Sequence, residues 1–388
     1  MSRTRPMGAE DYARIAARLE AERAAAAPVV RQLAAALDEH WDREIPPEWR
    51  TVGFVQELTA AAREALQRDA QATLTLAQFA IVVAGGLPAA AAYPEAIRIQ
   101  AEAGAWKEVA NAHRYRSEYE AALRALDVAD GRLAGAAGLG HDRAVMRLTR
   151  ALVLADQDQA GEALRLLAEC LTDFDDYGDR RRIAQCLQLR GMIEQRAARF
   201  REAIVTYENA LEILGGDAED SFMRACLQNN LGQAYGELQQ PEAALECLRE
   251  ALALFDQLHA TGEVARTAWG LGRMLLASGR YAEAKSAFAG ARRSLLRLML
   301  PEEAGLAGLD LADAFLATGA VAAASSVVGE VIEEFRAANL NRRALTALRY
   351  LSDVLPTPRA RAAVRQVHTY IGDLRRSPDL FFVEPPEG

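Results

Sequence analysis

Small and apolar positions recur along this chain every 40 or 41 residues. A small residue stands at Ala110, Ala151, Gly191, Gly232, Gly272 and Ala312, and an alanine follows each twelve positions later, at Ala122, Ala163, Ala203, Ala244, Ala284 and Ala324. Those second alanines are 41, 40, 41, 40 and 40 apart, too regular for an ordinary globular core, and a fixed period in this range marks a repeat array. In the clearest units a large apolar residue follows the alanine by four (Tyr207, Leu248, Phe288) and a small one by seven (Ala210, Ala251, Ala291), which is helical spacing. Each unit is therefore predicted to be two antiparallel amphipathic helices. The small residues fall where the helices cross, because a close backbone approach leaves no room for a larger side chain. Turns between paired helices are predicted at Arg199-Phe200, Gln239-Gln240-Pro241 and Ser278-Gly279-Arg280, where proline suits a helix start and glycine a helix end.

The flanks also read as helical. Glu10 to Ala26 and Pro28 to His40 are predicted as two helices, with Pro28 opening the second. Ile45-Pro-Pro-Glu-Trp49 interrupts the pattern before a degenerate pair at Phe54 to Asp69 and Ala72 to Ala84, which Gly85-Gly86-Leu87-Pro88 ends. A short helix over Pro94 to Gly104 leads into the first unit, and Asn341 to Val354 with Pro358 to Arg375 closes the array, as the unburied end faces of a solenoid require. The division expected is a helical segment over 1–50, a degenerate pair and linker over 51–100, six repeats over 101–340, capping helices over 341–376 and an extended tail over 377–388. In that tail, Phe381-Phe382 is expected to fold back on the last helix.

The Leu-Gly, Tyr, Phe/Tyr-x-Glu-Ala and aromatic-x-x-Ala positions stand in one order across residues 183–292, and in this the chain resembles the tetratricopeptide repeat family. The looser resemblance extends over about residues 100–335, with Ala110, Ala151 and Ala312 in place of glycine and Val321 in place of the usual aromatic. The period exceeds the family's usual 34 by about six residues, a length that suits the long-helix variants of bacterial signalling and transcriptional regulators. HEAT-type repeats share the period, but the Gly and Ala positions favour the tetratricopeptide form. The resemblance implies an all-α fold, an α-α superhelix of antiparallel helix pairs.

Composition narrows the function. Hydrophobic residues are 51% of the chain but aromatics only 6%, so alanine-mediated helix packing replaces a bulky core. The net charge of −9 disfavours nucleic acid as a direct ligand. Lys107 and Lys285 are the only lysines, and this arginine and alanine excess reads as a GC-rich bacterial codon bias. Arg180-Arg181-Arg182, Arg342-Arg343 and Arg375-Arg376 read as solvated helix faces. No apolar run is long enough to span a bilayer, and no apolar segment follows Arg3 and Arg5 as in a secretory signal, so a cytoplasmic protein is expected.

Catalytic signatures are missing, and a non-enzymatic protein without cofactor or metal is expected. The histidines His40, His113, His141, His259 and His368 are scattered, with no HExxH. Asp173-Phe-Asp175-Asp176 lacks the glycine and terminal glutamate of an EF-hand loop and reads as a connecting turn. Cys170, Cys186, Cys226 and Cys247 have no CxxC spacing and read as reduced core thiols.

A binding surface remains. In a helix-pair solenoid the first helix of each unit lines the concave face, and the repeat register puts Lys107, Asn111, Arg114, Gln185, Gln188, Gln195, Asn229, Asn230, Gln233, Arg266, Trp269 and Arg273 on it. Amides can hold an extended peptide backbone, arginines attract acidic side chains, and Trp269 offers an apolar anchor. Some tetratricopeptide domains grip a C-terminal carboxylate through Lys and Asn side chains. Lys107 and Asn111 match the first helix of that clamp, but Thr149, Gln185 and Leu189 stand at its later positions, so the clamp is incomplete; Asn230 with Arg266 offers a shifted version. The expected function is a non-catalytic scaffold or regulatory adaptor that binds a protein or peptide partner. The alternative is a peptide-sensing signalling or transcription regulator that changes conformation on binding.

Overall fold

The computed structural model describes residues 9–36, 45–66, 69–88, 93–216, 218–338, 340–374, 377 and 380–383. Among them are seventeen α-helices and no strand. They are α1 (Ala9–Ala36), α2 (Val52–Ala65), α3 (Ala70–Gly85), α4 (Glu95–Tyr115), α5 (Tyr119–Ala134), α6 (Gly140–Asp156), α7 (Ala160–Asp176), α8 (Arg180–Arg196) and α9 (Phe200–Leu214), followed by α10 (Ser221–Glu237), α11 (Pro241–Gln257), α12 (Thr261–Ala277), α13 (Tyr281–Arg297), α14 (Pro301–Leu316), α15 (Val321–Ala337), α16 (Arg342–Val354) and α17 (Ala360–Leu374). The chain forms two compact units, Met1–Leu189 and Arg190–Gly388, and their boundary falls within α8. Within each unit consecutive helices pack as antiparallel neighbours, and first helices of successive pairs also touch, α2 with α4 and α4 with α6 in one unit, α10 with α12 and α12 with α14 in the other.

The small residues do the steric work that the periodicity implies. A methyl group on Gly191 would run into the Tyr207 ring, one on Gly232 would lie 2.6 Å from Leu248 Cγ, and one on Gly272 2.7 Å from the Phe288 ring. Each glycine thus admits the large side chain sixteen residues on, from the second helix of its pair. The same spacing sets Ala110, Ala151 and Ala312 against Leu126, Leu167 and Val328, all fully buried or nearly so. Where the incoming side chain is aromatic the receiving residue is glycine, and where it is a smaller aliphatic an alanine usually suffices.

The turns within pairs end their first helices in left-handed residues at Ser117, Asp158, Ala198, Gln239, Gly279 and Gly319, again 40 or 41 apart. At Ser117 the following N–H, of Glu118, reaches back to the His113 carbonyl at 2.8 Å, and the Ser117 N–H reaches Arg114 at 3.0 Å, which satisfies two of the terminal carbonyls.

Three expectations need correction. The N-terminal segment is one helix, not two: α1 runs through Pro28. Proline removes one hydrogen bond, but Ala26 and Val30 on either side are buried, and that burial holds the helix across the gap. The segment over Pro94 to Gly104 is not a separate helix but the first half of α4, because Ala101, Ala103 and Ala105 are all buried and outweigh the weak propensity of Gly104. Asp173, Asp175 and Asp176 lie in the last turn of α7 rather than in a connecting turn, and Arg147 pairs with Asp173. The part of the second predicted helix at residues 37–40, and Arg375-Arg376, lie outside the described residues.

Helix α1 docks on α2 through Gly53. A methyl group there would lie 2.7 Å from the backbone nitrogen of Arg23, and the Gly53 N–H donates to Glu22 Oε2 at 3.1 Å. The Tyr93 hydroxyl donates to the other oxygen of Glu22 at 2.6 Å. Gly53→Ala is expected to destabilise the α1 contact by about 1–3 kcal/mol, since backbone cannot yield as a side-chain tip can. Gly104→Ala, whose added methyl meets nothing within 4 Å, is expected to be neutral or to stabilise by up to about 1 kcal/mol. Urea denaturation of the two variants side by side checks this, and equal midpoints would remove the role given to Gly53.

The tail folds back as expected. Phe382 packs on Tyr350 and Tyr370, with ring centres 5.3 and 5.1 Å apart, and the Arg343 guanidinium lies 4.4 Å over the Phe381 ring.

Candidate functional site

Two cavities of the unit Arg190–Gly388 gather residues that the repeat register places on one face. The first, about 310 Å3, is lined from α8, α10 and α12 by Gln195, Gln233, Arg266, Trp269 and Arg273. The adjoining one, about 420 Å3, shares Gln195, Gln233 and Glu237 and adds Asn230. Five of the predicted groove residues therefore converge on one cavity, because successive first helices touch and present the same register positions in a row.

The polar groups of the cavity are in different states. Trp269 is half-buried, its Nε1–H donates to Asp310 Oδ2 at 2.6 Å, and its ring meets the edge of His368 at 6.2 Å. Arg266 is held by Glu303 at 2.9 Å. Gln195 accepts a hydrogen bond from the Tyr207 hydroxyl at 3.1 Å. Arg273 is exposed and has no hydrogen bond or ion pair among the described residues. Burial pushes the Asp310 carboxyl above its ordinary value, against the pull of His368, the Trp269 N–H and the more distant Arg273, and burial pushes His368 below its own.

Asp310, Glu303, Glu237 and His368 were missed by the sequence reading. The register gave no signal for Asp310: Gln188, Asn229 and Trp269 each stand three positions before Gly191, Gly232 and Gly272, and the equivalent position before Ala312 is Leu309. The 40-residue step does take Arg273 to Asp313, which is buried and bonded at 2.6 Å by Arg361 and at 3.4 Å by Arg365, both from α17. The closing helix α17 thus covers in α14 the row of positions that α12 leaves open.

The other predicted residues are dispersed. Asn229 accepts from the Thr267 hydroxyl at 3.3 Å. In the unit Met1–Leu189, Lys107 and Asn111 both bind Glu108, each at 2.9 Å, Arg114 binds Asp156 at 2.7 Å, and Gln185 accepts from Arg182 at 2.8 Å. Lys107 and Asn111 are thus turned to an internal carboxylate and cannot grip a ligand's carboxylate together. The shifted pair is also divided, with Arg266 on the first cavity and Asn230 on the adjoining one. Asn111, Arg114, Gln185, Gln188 and Asn229 line neither cavity.

The thiols of Cys170, Cys186, Cys226 and Cys247 are free. Burial pushes Cys226 up to about 12 and Cys247 up to about 11, as befits unreactive core side chains. Among the described residues no group of three or more His, Cys, Asp or Glu side chains could hold a metal ion, and no helix is long and apolar enough to cross a membrane.

Residues 223–295, from α10 into α13, match the family model of the tetratricopeptide repeat. No curated protein sequence matches the chain. Among solved structures, the chain is similar to a signal transduction ATPase with numerous domains and a tetratricopeptide repeat sensor from Pyrococcus horikoshii, at 15% identity and a TM-score of 0.58, over 87% of this chain and 55% of that one. It is similar to a Rap protein complexed with competence and sporulation factor, at 13% identity and a TM-score of 0.53, over 92% of this chain and 99% of that one. It is also similar to the Rap conjugation gene regulator of the plasmid pLS20, in complex with the Phr* peptide, at 13% identity and a TM-score of 0.53, over 86% and 77% of the two chains. At such identities the likeness is one of fold. Residues 223–295 thus carry the tetratricopeptide repeat, and the described helices on either side continue the same helix-pair fold.

Proposed function

We propose that this chain is a regulatory adaptor that binds an extended peptide segment of a partner at the cavity lined by Gln195, Gln233, Arg266, Trp269 and Arg273. The observation that carries the reading is the state of Arg273: an exposed guanidinium with no carboxylate partner, beside an indole and two side-chain amides. Arg266 is already neutralised by Glu303, so Arg273 is the cation that meets an acidic group of the ligand. Trp269 gives an apolar side chain its contact, and the amides of Gln195 and Gln233 exchange hydrogen bonds with peptide groups. A cavity of about 310 Å3 suits a few side chains of a segment rather than a folded domain. The Rap regulator of pLS20, similar in fold, was solved in complex with a peptide, which supports the same use of the fold here.

The test is selection of ligands from a displayed random peptide library on the full chain, followed by affinity measurement with variants. The selected sequences are expected to pair an acidic residue with an apolar one. Trp269→Ala should weaken their binding by about 2 kcal/mol, and Arg273→Ala by roughly tenfold, as loss of a charge-assisted hydrogen bond predicts. Among the described residues Arg273 makes no internal hydrogen bond or ion pair and acts on buried Asp310 only through space, so its loss should shift the melting curve little. Peptides that bind Arg273→Ala as tightly as the wild type would overturn the assignment.

A further inference from the structure

A second cavity, about 430 Å3, lies wholly within the unit Met1–Leu189, away from the proposed peptide site. Cations dominate its polar lining: Arg23, Arg63, Lys107 and Arg182, with His141. Asp142 is the one carboxylate among the lining residues, and Gln100 donates to it at 2.8 Å.

These cations are not evenly matched by acids. Arg23 is paired with Glu57 at 2.7 Å, and His141 with Asp179 at 2.8 Å. Arg63 and Lys107 share a single carboxylate and indeed a single oxygen: the Arg63 Nη2 and the Lys107 ammonium each lie 2.9 Å from Glu108 Oε1. Arg182 is half-buried, donates to the neutral amide of Gln185, and has no carboxylate within ion-pair distance among the described residues. Burial pushes both Lys107 and Arg182 below their ordinary values, against the pull of Glu108 on the first and Asp179 on the second, and the charge of Arg63 presses on each. Three like charges lie near one another, with one buried carboxylate shared by two of them and Asp179 acting on the third from beyond ion-pair distance, an arrangement that a further anion would relieve.

We propose that this cavity binds the phosphate group of a small phosphorylated molecule, with Arg182 as the principal ligand-facing cation and Lys107 and Arg63 completing the cradle. Two planar guanidiniums and a point ammonium can surround the oxygens of a tetrahedral dianion, and the guanidinium fork matches phosphate geometry. The cavity exceeds the volume of phosphate alone, and Asp142, beyond the cations' own acids, is placed to accept from a hydroxyl of the remainder of the molecule. A phosphomonoester with hydroxyl groups satisfies both features.

The test uses the full chain at constant ionic strength. Inorganic phosphate, glycerol 3-phosphate, glycerol and succinate are each titrated by calorimetry, with potassium chloride as the blank. Phosphate and glycerol 3-phosphate are expected to bind, and glycerol and succinate not to. Arg182→Gln is expected to raise the dissociation constant roughly tenfold or more, because it removes charge-assisted hydrogen bonds without orphaning an internal acid. Its circular dichroism and melting curve should match the wild type. Tighter binding of glycerol 3-phosphate than of phosphate supports the phosphomonoester, whereas equal binding overturns that part and leaves free phosphate as the ligand. Absence of binding by either, binding of succinate as tight as that of phosphate, or retention of affinity in Arg182→Gln overturns the site.

Discussion

Glu108→Gln is expected to destabilise the unit Met1–Leu189 by roughly 3–5 kcal/mol near neutral pH, the usual cost of breaking a buried ion pair by removing one partner. Glu108 is fully buried and is bound by Arg63, Lys107 and Asn111. An amide in its place leaves the Lys107 ammonium in a half-dry cavity beside Arg63 and Arg182 without the carboxylate that pairs it. Lys107 can relieve this by releasing its proton, which burial already favours, so the lower part of the range is the better expectation. The pH dependence has a definite sign. Burial raises the Glu108 carboxyl, but Lys107, Arg63 and Asn111 outweigh it and hold it below its ordinary value. A carboxylate depressed in the folded state contributes stability that is present above its unfolded pKa and is lost as pH falls through its folded one. The gap between wild type and Glu108→Gln should therefore be widest near neutrality and shrink in acid. Hydrogen exchange of α2 and α4, measured at pH 7 and pH 4, checks both points. Equal protection in the two proteins at pH 7 would mean that the pair contributes nothing. Phosphate should also restore part of the lost protection, since it supplies the missing negative charge.

Phe335→Ala is expected to cost about 3–5 kcal/mol in the unit Arg190–Gly388, as large-to-small changes at buried aromatics do. Phe335 is 1% exposed, and its ring fills the space left by Gly305, where a methyl group would lie 2.9 Å from Cζ. The surrounding helices α14 and α15 are fixed at both ends by turns and packed along their length, so the cavity cannot close by collapse. Phe381 is the contrast. It is 73% exposed and touches the protein through the Arg343 guanidinium, so Phe381→Ala should change stability by less than about 0.5 kcal/mol. Chemical denaturation of both variants gives the comparison, and a Phe335→Ala midpoint within error of the wild type would show that α14 and α15 repack freely.

The sequence by itself determined the helix pairs, their turns and the residues at which they cross. These are local properties: a helix is specified by the spacing of its own apolar residues, and Gly191, Gly232 and Gly272 record the size of a side chain only sixteen positions away. The repeat register likewise placed Gln195, Gln233, Arg266, Trp269 and Arg273 on one face, and those five line one cavity. It did not reach Asp310, because one period beyond Trp269 stands Leu309.

Tertiary structure alone decided which of these polar groups are available to a ligand. Arg266 and Arg273 lie seven residues apart on one helix and look alike in sequence, yet Glu303 from α14 binds the first and nothing comparable reaches the second. Lys107 read as a groove residue, but Arg63, 45 residues before Glu108 in the sequence, competes for the same oxygen of Glu108 and turns the pair into part of a separate cationic cavity. Asp313, which register would expose, is covered because α17 returns to pack on α14. The continuity of α1 through Pro28 and of α4 through Gly104 was also decided by burial against other helices rather than by local propensity. The physical reason is the same in each case. Helix periodicity is written within one turn or one repeat, whereas charge pairing and burial depend on which distant helix arrives at a given face, and only packing settles that.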